Sequence, residues 1–231
     1  MSAQGDLMLA VNSAVIEVAG LLKEPYSRVG EIGCFAGGVI RHLARKLPDT
    51  MFFGFDKLAG LLKPTQAISP TNVRLVVWDY EVDPVPKDCS CEILYGSLAI
   101  DFDNSLNTNF SVLGNCESTE EESIRQGTNN YVVKFGKASQ NWRKLVSLGS
   151  VLVIALRIPT VYAFSGIVQA AVITGWEPLV ERWVTVAIDD EKLSVLVFRS
   201  ADVGRLNASE LMSLARRWNE SPRMVHVAGL R

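Results

Sequence analysis

The sequence predicts an α/β protein with a mostly parallel sheet, helices on both of its faces and an antiparallel β-hairpin near the carboxyl end. Apolar runs of strand length alternate with segments of helical periodicity, which is the order of a parallel sheet. A glycine-rich turn at 33–38 follows the first of these runs. Two late runs, 179–188 and 193–198, are separated only by the polar residues 189–192, and so short a connection joins antiparallel strands. Because the chain has 231 residues, of which 48% are hydrophobic and 21% charged, we expect one folded domain, 1–231.

The first element is a helix within residues 1–24. Pro25 marks its end, and its apolar residues recur at intervals of three and four, the period of an amphipathic helix. These residues are Leu7, Val11, Val15, Val18 and Leu22. Both a helix laid over a binding site and a plain packing helix fit this pattern.

Acidic residues stand at the ends of three successive predicted strands. Glu31 ends the first strand, Asp56 closes the run 50–56 and Asp79 follows the run 73–78. The carboxyl ends of parallel strands meet at one edge of a sheet, where ligands commonly bind. A single strand-end Asp is more often a turn former or a helix cap, but three in register after a glycine turn indicate a binding site.

The turn within Val29 to Gly38 is typical of a nucleotide-type pocket. Its glycines let the backbone approach a ligand closely, while the negative charge predicted for Glu31 would repel a phosphate. A cationic ligand fits better. Apolar residues then repeat every four positions within 39–47, which predicts a short helix whose first N–H groups face the pocket.

The second half of the chain contains one unusual segment. Residues 101–130 are polar and acidic and follow a fourth predicted strand at 91–97; loops of this length are uncommon in compact domains. A substrate lid and a solvated surface insertion both fit this segment. The remaining predicted elements are a helix at 131–148 with Gly149 as its stop, a strand at 151–156, a helix at 160–174, the hairpin, and a last helix capped by Asn207 or Ser209 that runs to about Trp218.

The turn resembles motif I of the class I S-adenosylmethionine-dependent methyltransferases, whose pattern is acidic, any, Gly, any, Gly, any, Gly. Glu31, Gly33 and Gly37 match this pattern, and Phe35 stands where the middle glycine usually lies. The resemblance extends over roughly 29–198. It implies a Rossmann-like, seven-stranded, mostly parallel sheet whose last strand is antiparallel, and S-adenosylmethionine as the cofactor, released as S-adenosylhomocysteine.

The resemblance also implies roles for individual residues. Glu31 would face the methionine ammonium of the cofactor, Asp56 the ribose hydroxyls and Asp79 the adenine amino group. The expected cofactor-binding residues are Glu31, Gly33, Cys34, Phe35, Ala36, Gly37, Asp56, Lys57, Asp79 and Tyr80.

The function implied is methyl transfer to a small-molecule acceptor by in-line displacement without a metal. No catalytic base is evident, since His42 and His226 both fall at predicted surface positions, and Tyr95, Asp101 and Asp103 are the candidates by position. The alternative is a non-catalytic protein of the same fold that binds or regulates, because Phe35 replaces a glycine. A nicotinamide-dependent oxidoreductase would need a Gly-x-Gly-x-x-Gly turn, which the sequence lacks.

The composition of the chain disfavours some classes of binding partner. A net charge of −2 and a pI of about 5.8 disfavour binding to nucleic acid through its phosphates. The Asn-Pro-Pro-Tyr or Asp-Pro-Pro-Tyr box that resembling nucleobase enzymes carry is replaced by residues 95–98. The four cysteines lack metal-ligand spacing, and neither a signal peptide nor a membrane span is apparent, which predicts a cytoplasmic protein. Nothing in the residue pattern selects an oligomeric state.

Overall fold

The computed structural model describes residues 3–23, 25–97, 135–158, 161–188, 191–202, 204–220 and 224–226. The segment 101–130, predicted as a lid or insertion, lies outside the described residues. So do Asp101, Asp103 and the start of the helix predicted at 131–148.

Helices and strands alternate along the described chain, as the apolar runs predict. The helices are α1 (Ala3–Ala19), α2 (Gly38–Lys46), α3 (Ala59–Ala67), α4 (135–143), α5 (Val161–Ile173) and α6 (Ala208–Glu220). The strands are β1 (Arg28–Ile32), β2 (Met51–Asp56), β3 (Val73–Val77), β4 (Cys91–Ser97), β5 (Val146–Leu156), β6 (Trp176–Pro178), β7 (Val184–Ile188), β8 (Glu191–Ser200) and β9 (Met224–His226).

All the described strands belong to one sheet of order β3-β2-β1-β4-β5-β8-β7-β9, with β6 paired to β8. The first five strands in this order are parallel to one another, and β8 runs antiparallel to both β5 and β7. The predicted α/β class, the mostly parallel sheet and the hairpin formed by β7 and β8 are therefore confirmed. Seven longer strands form the predicted sheet, and β6 and β9 add three residues each.

The helices cover the sheet and close its core. Helix α1 packs on β4, β5, β7 and β8, α2 packs on β2 and β3, and α5 packs on α6 and β6. The buried apolar side chains of these elements form one cluster, which includes Phe52, Leu94, Leu152 and Phe198. Helix α6 begins at a capping box, since Glu210 N–H donates to Asn207 Oδ1 and Asn207 N–H donates to Glu210 Oε2. The predicted cap at Asn207 is thus confirmed.

Several predicted boundaries are wrong. The first helix ends at Ala19 rather than near Pro25. The run 179–188 begins with a 3-10 turn, Val180–Arg182, so β7 starts only at Val184, and β8 already starts at Glu191, inside the predicted turn.

The helix predicted over 131–148 ends at residue 143, and 146–148 already belong to β5. Gly149 therefore does not stop a helix but lies inside the strand, with a φ of 88°. The reason is a bulged pairing, because the register of β4 against β5 shifts between Cys91 and Ile93 and admits extra residues on β5.

Three short elements are not predicted from the sequence: α3, β6 and β9, the last of which contains His226. Helix α3 is short, contains Pro64 and has one buried residue, Leu62, so it shows little amphipathic periodicity. Strand β6 has only three residues, too few for a periodic pattern, and Trp176 belongs to it.

Candidate functional site

The carboxyl ends of β1, β2, β3 and β4 lie at one edge of the sheet because these strands are mutually parallel. The turn after β1 folds over the end of β2. Gly33 N–H and Cys34 N–H both donate to the carbonyl of Phe55, at 2.8 and 3.1 Å, and Gly37 N–H donates to the carbonyl of Cys34 at 2.7 Å. Residues 33 to 37 therefore form a tight loop that lies directly on the neighbouring strand.

The loop needs left-handed backbone at three positions. Gly33, Phe35 and Gly37 have φ values of 68°, 51° and 64°. Glycine adopts this region freely, whereas a residue with a Cβ is strained there. Helix α2 starts immediately after Gly37, so its first N–H groups point to the sheet edge.

Asp56 holds this loop in place. It is the last residue of β2, and its Oδ2 accepts the N–H of Phe35 at 2.8 Å while its Oδ1 accepts the N–H of Leu58 at 2.9 Å. Each carboxylate oxygen can accept a further hydrogen bond, so two hydroxyl donors of a ligand could still bind. The residue is both a structural clamp and a candidate ligand group.

Asp79 starts a turn beyond β3. Its Oδ1 accepts the N–H of Glu81, its carbonyl accepts the N–H groups of Val82 and Asp83, and its own N–H donates to Asp83 Oδ2. The turn-forming role common for strand-end Asp residues is therefore present here as well. Together with Asp56, this turn encloses a cavity of about 100 Å³, whose lining residues are Gly33, Phe55, Asp56, Lys57, Trp78, Asp79, Tyr80 and Glu81.

Glu31 and Tyr95 lie side by side beneath the loop. They are direct cross-strand partners on β1 and β4, and Glu31 is only 5% exposed while Tyr95 is fully buried. Burial raises the pKa of Glu31 to about 8, an effect that the Tyr95 hydroxyl and the backbone N–H of Ile40 reduce and the charge of Asp56 increases. The Glu31 carboxyl is thus mostly protonated at pH 7, whereas the sequence predicts a negative charge there.

Several buried polar atoms at this edge have no hydrogen-bond partner of good geometry among the described residues. They are Glu31 Oε2, Trp78 Nε1, Tyr95 Oη and Ser97 Oγ. The Glu31 carboxyl and the Tyr95 hydroxyl are close enough to shift each other's pKa, but they do not form a hydrogen bond of good geometry. Buried polar groups are normally satisfied by protein or water, so this concentration marks the edge as a polar site.

The structure brings most of the predicted residues together. Five of the ten expected cofactor-binding residues line the cavity, and the rest belong to the loop or lie directly beneath it. Lys57 is exposed, and Cys34 is buried between the loop and β2, where burial raises the pKa of its thiol. Burial also raises the pKa of Tyr80, to about 12.

Sequence reasoning missed an aromatic wall behind the cavity. Trp78 contacts Phe55 and Tyr80 edge-to-face, at centroid distances of 5.6 and 6.2 Å, and Tyr80 contacts Trp142 of α4 in the same way. Asn141 Nδ2 donates to the carbonyl of Tyr80 at 2.6 Å. Helix α4 therefore buttresses the turn after β3, a contact that no local sequence signal indicates because the residues are 61 positions apart.

Two hollows among the described residues are larger than this cavity and lie elsewhere. A groove of about 550 Å³ runs between α1 and α2, and an open hollow of about 930 Å³ lies at the opposite edge of the sheet, beside Gly175 and Ala201. Ligands of open α/β sheets bind at the carboxyl ends of the strands, which favours the smaller cavity. Within the described residues, no three side chains of the metal-ligating types cluster, and no helix has the length and apolar character to cross a bilayer.

Comparison with known proteins reveals similarity in fold rather than in sequence. No family model and no curated protein sequence matches the chain. Among solved structures, N-methyltransferase NodS of Bradyrhizobium japonicum WM9, in complex with S-adenosyl-L-homocysteine, aligns with a TM-score of 0.53 at 14% identity, over 82% of this chain and 85% of that one.

Two further methyltransferase structures align with the chain, one named as an O-MT and one as an adenine N(1)-methyltransferase of 16S rRNA. The StiE O-MT structure aligns with a TM-score of 0.60 at 10% identity, over 93% of this chain and 80% of that one. A variant of the 16S rRNA (adenine(1408)-N(1))-methyltransferase of Catenulisporales acidiphilia, with S-adenosylmethionine, aligns with a TM-score of 0.53 at 13% identity, over 82% of this chain and 92% of that one. This chain therefore has the fold of the class I S-adenosylmethionine-dependent methyltransferases.

Proposed function

We propose that this chain binds S-adenosylmethionine at the carboxyl edge of β1 to β4 and transfers its methyl group to a small-molecule acceptor. The observation that supports this most directly is the convergence of Asp56, Asp79 and the loop after Glu31 around one cavity. The aligned NodS and rRNA methyltransferase structures hold S-adenosylhomocysteine and S-adenosylmethionine, respectively.

The residues present fit such a ligand. The cavity of about 100 Å³ is smaller than a whole ligand pocket, so it would take only part of the nucleoside, between Asp79 and the ring of Tyr80. The two oxygens of Asp56 would accept the ribose hydroxyls. The unpartnered Oε2 of Glu31 would face the ammonium group, and ionisation of its carboxyl would accompany that contact.

The chain contributes mainly orientation to the reaction. A sulfonium already activates its methyl group, so an in-line acceptor and exclusion of water are the chief requirements, and orientation alone can lower a barrier by about 7–11 kcal/mol. Tyr95 is disfavoured as the catalytic base, because burial beside Glu31 raises its pKa well above the ordinary value. We propose a metal-independent reaction in which binding and positioning dominate.

The net charge of −2 supports a small acceptor over a nucleic acid. The rRNA methyltransferase among the aligned structures makes RNA the competing acceptor. Incubating the protein with methyl-labelled S-adenosylmethionine and either a deproteinised metabolite extract or total RNA separates the two. We expect label in the small-molecule fraction. Label in RNA alone would contradict the small-molecule acceptor, and saturable cofactor binding without transfer to either would favour a non-catalytic binding protein.

Calorimetric titration tests the cofactor, with S-adenosylmethionine and S-adenosylhomocysteine as ligands and NAD and ATP as controls. We expect selective binding of the first two. D56A is expected to weaken both, whereas D49A removes an exposed carboxylate after α2 and is expected to change neither. Binding of NAD or ATP instead would contradict the proposed cofactor.

Loss of the Phe35 clamp could also weaken binding in D56A, so the ribose contact needs its own test. A 2′-deoxy analogue of S-adenosylhomocysteine removes one of the hydroxyls that Asp56 is proposed to bind. The analogue should bind more weakly than S-adenosylhomocysteine to the wild type. To D56A, the analogue and S-adenosylhomocysteine should bind with equal, reduced affinity. An equal penalty in both proteins would show that Asp56 acts on the loop alone.

A further inference from the structure

Phe35 is the residue of the glycine loop whose side chain the fold uses least. The residue is 61% exposed, and its backbone lies in the left-handed region with a φ of 51°. Glycine would adopt this φ without strain and would expose no apolar surface. The ring thus adds strain and exposure to a loop that glycine could form at lower cost, which points to a role outside folding.

The backbone that carries the ring is nevertheless held in place by hydrogen bonds. Phe35 N–H donates to Asp56 Oδ2 at 2.8 Å, and the loop is bonded on both sides of it, through Gly33 to β2 and through Gly37 to Cys34. The backbone of Phe35 therefore lies at the carboxyl edge between the ends of β1 and β2. Asp56, which accepts the N–H of Phe35, ends β2, and Glu31 belongs to the neighbouring strand β1, from which the loop starts.

We propose that the Phe35 ring contacts the sulfonium of bound S-adenosylmethionine and makes the site prefer this ligand to the product, S-adenosylhomocysteine. The inference rests on the proposed function. If Asp56 binds the ribose and Glu31 the ammonium, the sulfur that joins the two parts of the ligand lies between them, next to the backbone of Phe35.

The preference follows from charge. The face of an aromatic ring attracts a cation within about 6 Å of its centroid. During transfer the bond between sulfur and methyl breaks, the electron pair remains on sulfur, and the acceptor gains the methyl group and loses a proton. Sulfur becomes neutral, so the attraction to the ring is lost in the product.

Calorimetric titration of the wild type, F35L and F35Y with both ligands tests this inference. Leucine preserves an apolar side chain without a π-system, and tyrosine preserves the ring. We expect F35L to bind S-adenosylmethionine between about twofold and about thirtyfold more weakly. Its affinity for S-adenosylhomocysteine should change by less than about twofold. F35Y should keep the wild-type preference.

A stability measurement separates a ligand contact from a structural role. F35G relieves the strained backbone and removes the exposed ring, so we expect a higher melting temperature together with the reduced preference of F35L. A lower melting temperature, or an equal ratio of the two affinities in wild type and F35L, would overturn the inference. Equal affinities of the wild type for the two ligands would overturn this inference but leave the proposed function in place. If the wild type bound neither ligand, both the inference and the proposed function would be overturned.

Discussion

Glu31 shows how strongly the position of a residue determines its chemistry. An exposed glutamate at this place in β1 would carry a negative charge at neutral pH. Burial raises its pKa to about 8, and Asp56 adds repulsion from the neighbouring strand. The carboxyl must therefore release its proton to solvent before it can form an ion pair with a cationic ammonium group. Ligand binding at this site should strengthen as the pH rises toward 8.

Substitution of Glu31 by Gln should stabilise the protein in a pH-dependent way. The folded pKa lies above the ordinary 4.5, so folding favours the protonated carboxyl, and the resulting stability is lost as pH rises from about 4.5 to about 8. Gln mimics the neutral form at every pH. At pH 8 we expect E31Q to exceed the wild type by on the order of 4 kcal/mol in the free energy of unfolding, and by less than about 1 kcal/mol at pH 5.

Urea unfolding at the two pH values measures this difference. E17Q, an exposed glutamate of α1, is the matched control and should change the stability little at either pH. The same gain for E31Q at pH 5 and pH 8 would contradict ionisation of Glu31 as its cause.

Individual site residues differ in how far the sequence predicts them. The places of Glu31, Gly33, Gly37 and Asp56 in the fold are predictable because they depend on local spacing along one strand-turn-helix-strand unit. Tyr95 is named by its position near the end of β4, but its pairing with Glu31 depends on the order of strands across the sheet. The contact from Asn141 to Tyr80 depends on how a distant helix packs, which spacing does not encode.

At the level of elements, the loop after β1 depends on close packing against β2. A Cβ at Gly54 would lie 2.7 Å from Leu75 Cδ2 and 2.8 Å from Cys34 Sγ, and both distances are too short for carbon or sulfur contacts. Gly54 is the cross-strand partner of Glu31. The absence of a side chain at this position lets Cys34, and with it the loop, lie flat on the strand.

Replacement of Gly54 by Ala should push the loop away from β2. We expect a loss of about 1–3 kcal/mol in the free energy of unfolding and weaker binding of S-adenosylhomocysteine. G60A is the matched control, because a Cβ there meets nothing within 4 Å and Gly60 lies inside α3. Since Ala favours a helix over Gly, G60A should stabilise the protein by about 0.5–1 kcal/mol. Equal effects of the two substitutions in denaturant unfolding would refute the packing argument.

Element types are more predictable than element boundaries, and β5 shows why. Leu145 and Val146 fit a helical repeat that continues from 131, so the helix predicted to end at Leu148 is five residues too long. They pair with β4 through a bulge instead. The Ser150 hydroxyl donates to the carbonyl of Cys91 there, and the N–H of Cys91 donates to the carbonyl of Leu145. Tertiary pairing overrides local periodicity at this boundary, and a single sequence carries no sign of the bulge.

For the whole molecule, the order of the strands determines where a ligand can bind. The parallel order β3-β2-β1-β4 places the described loops that carry predicted cofactor-binding residues at one edge, while Gly175 and Ala201 lie at the other. The alternation of elements and the late hairpin predict a mostly parallel sheet with its ligand edge at the carboxyl ends of the strands, but they do not predict the order of the strands. An open hollow of about 930 Å³ nevertheless lies at the edge opposite to the candidate site, so volume and topology favour different sites.

Hydrogen exchange with and without saturating S-adenosylhomocysteine decides between them. A ligand at 100 times its Kd stabilises the bound form by about 2.7 kcal/mol, and amides that open locally near the ligand should exchange more slowly. We expect protection at the amides of Gly33, Phe35 and Leu58, which form the loop and its bonds to Asp56. The locally opening amides of Gly175 and Ala201 should be unaffected. Protection confined to Gly175 and Ala201 would place the ligand at the amino edge of the parallel strands and contradict the proposed site. If the proposed site is correct, D56A should abolish the protection at the carboxyl edge.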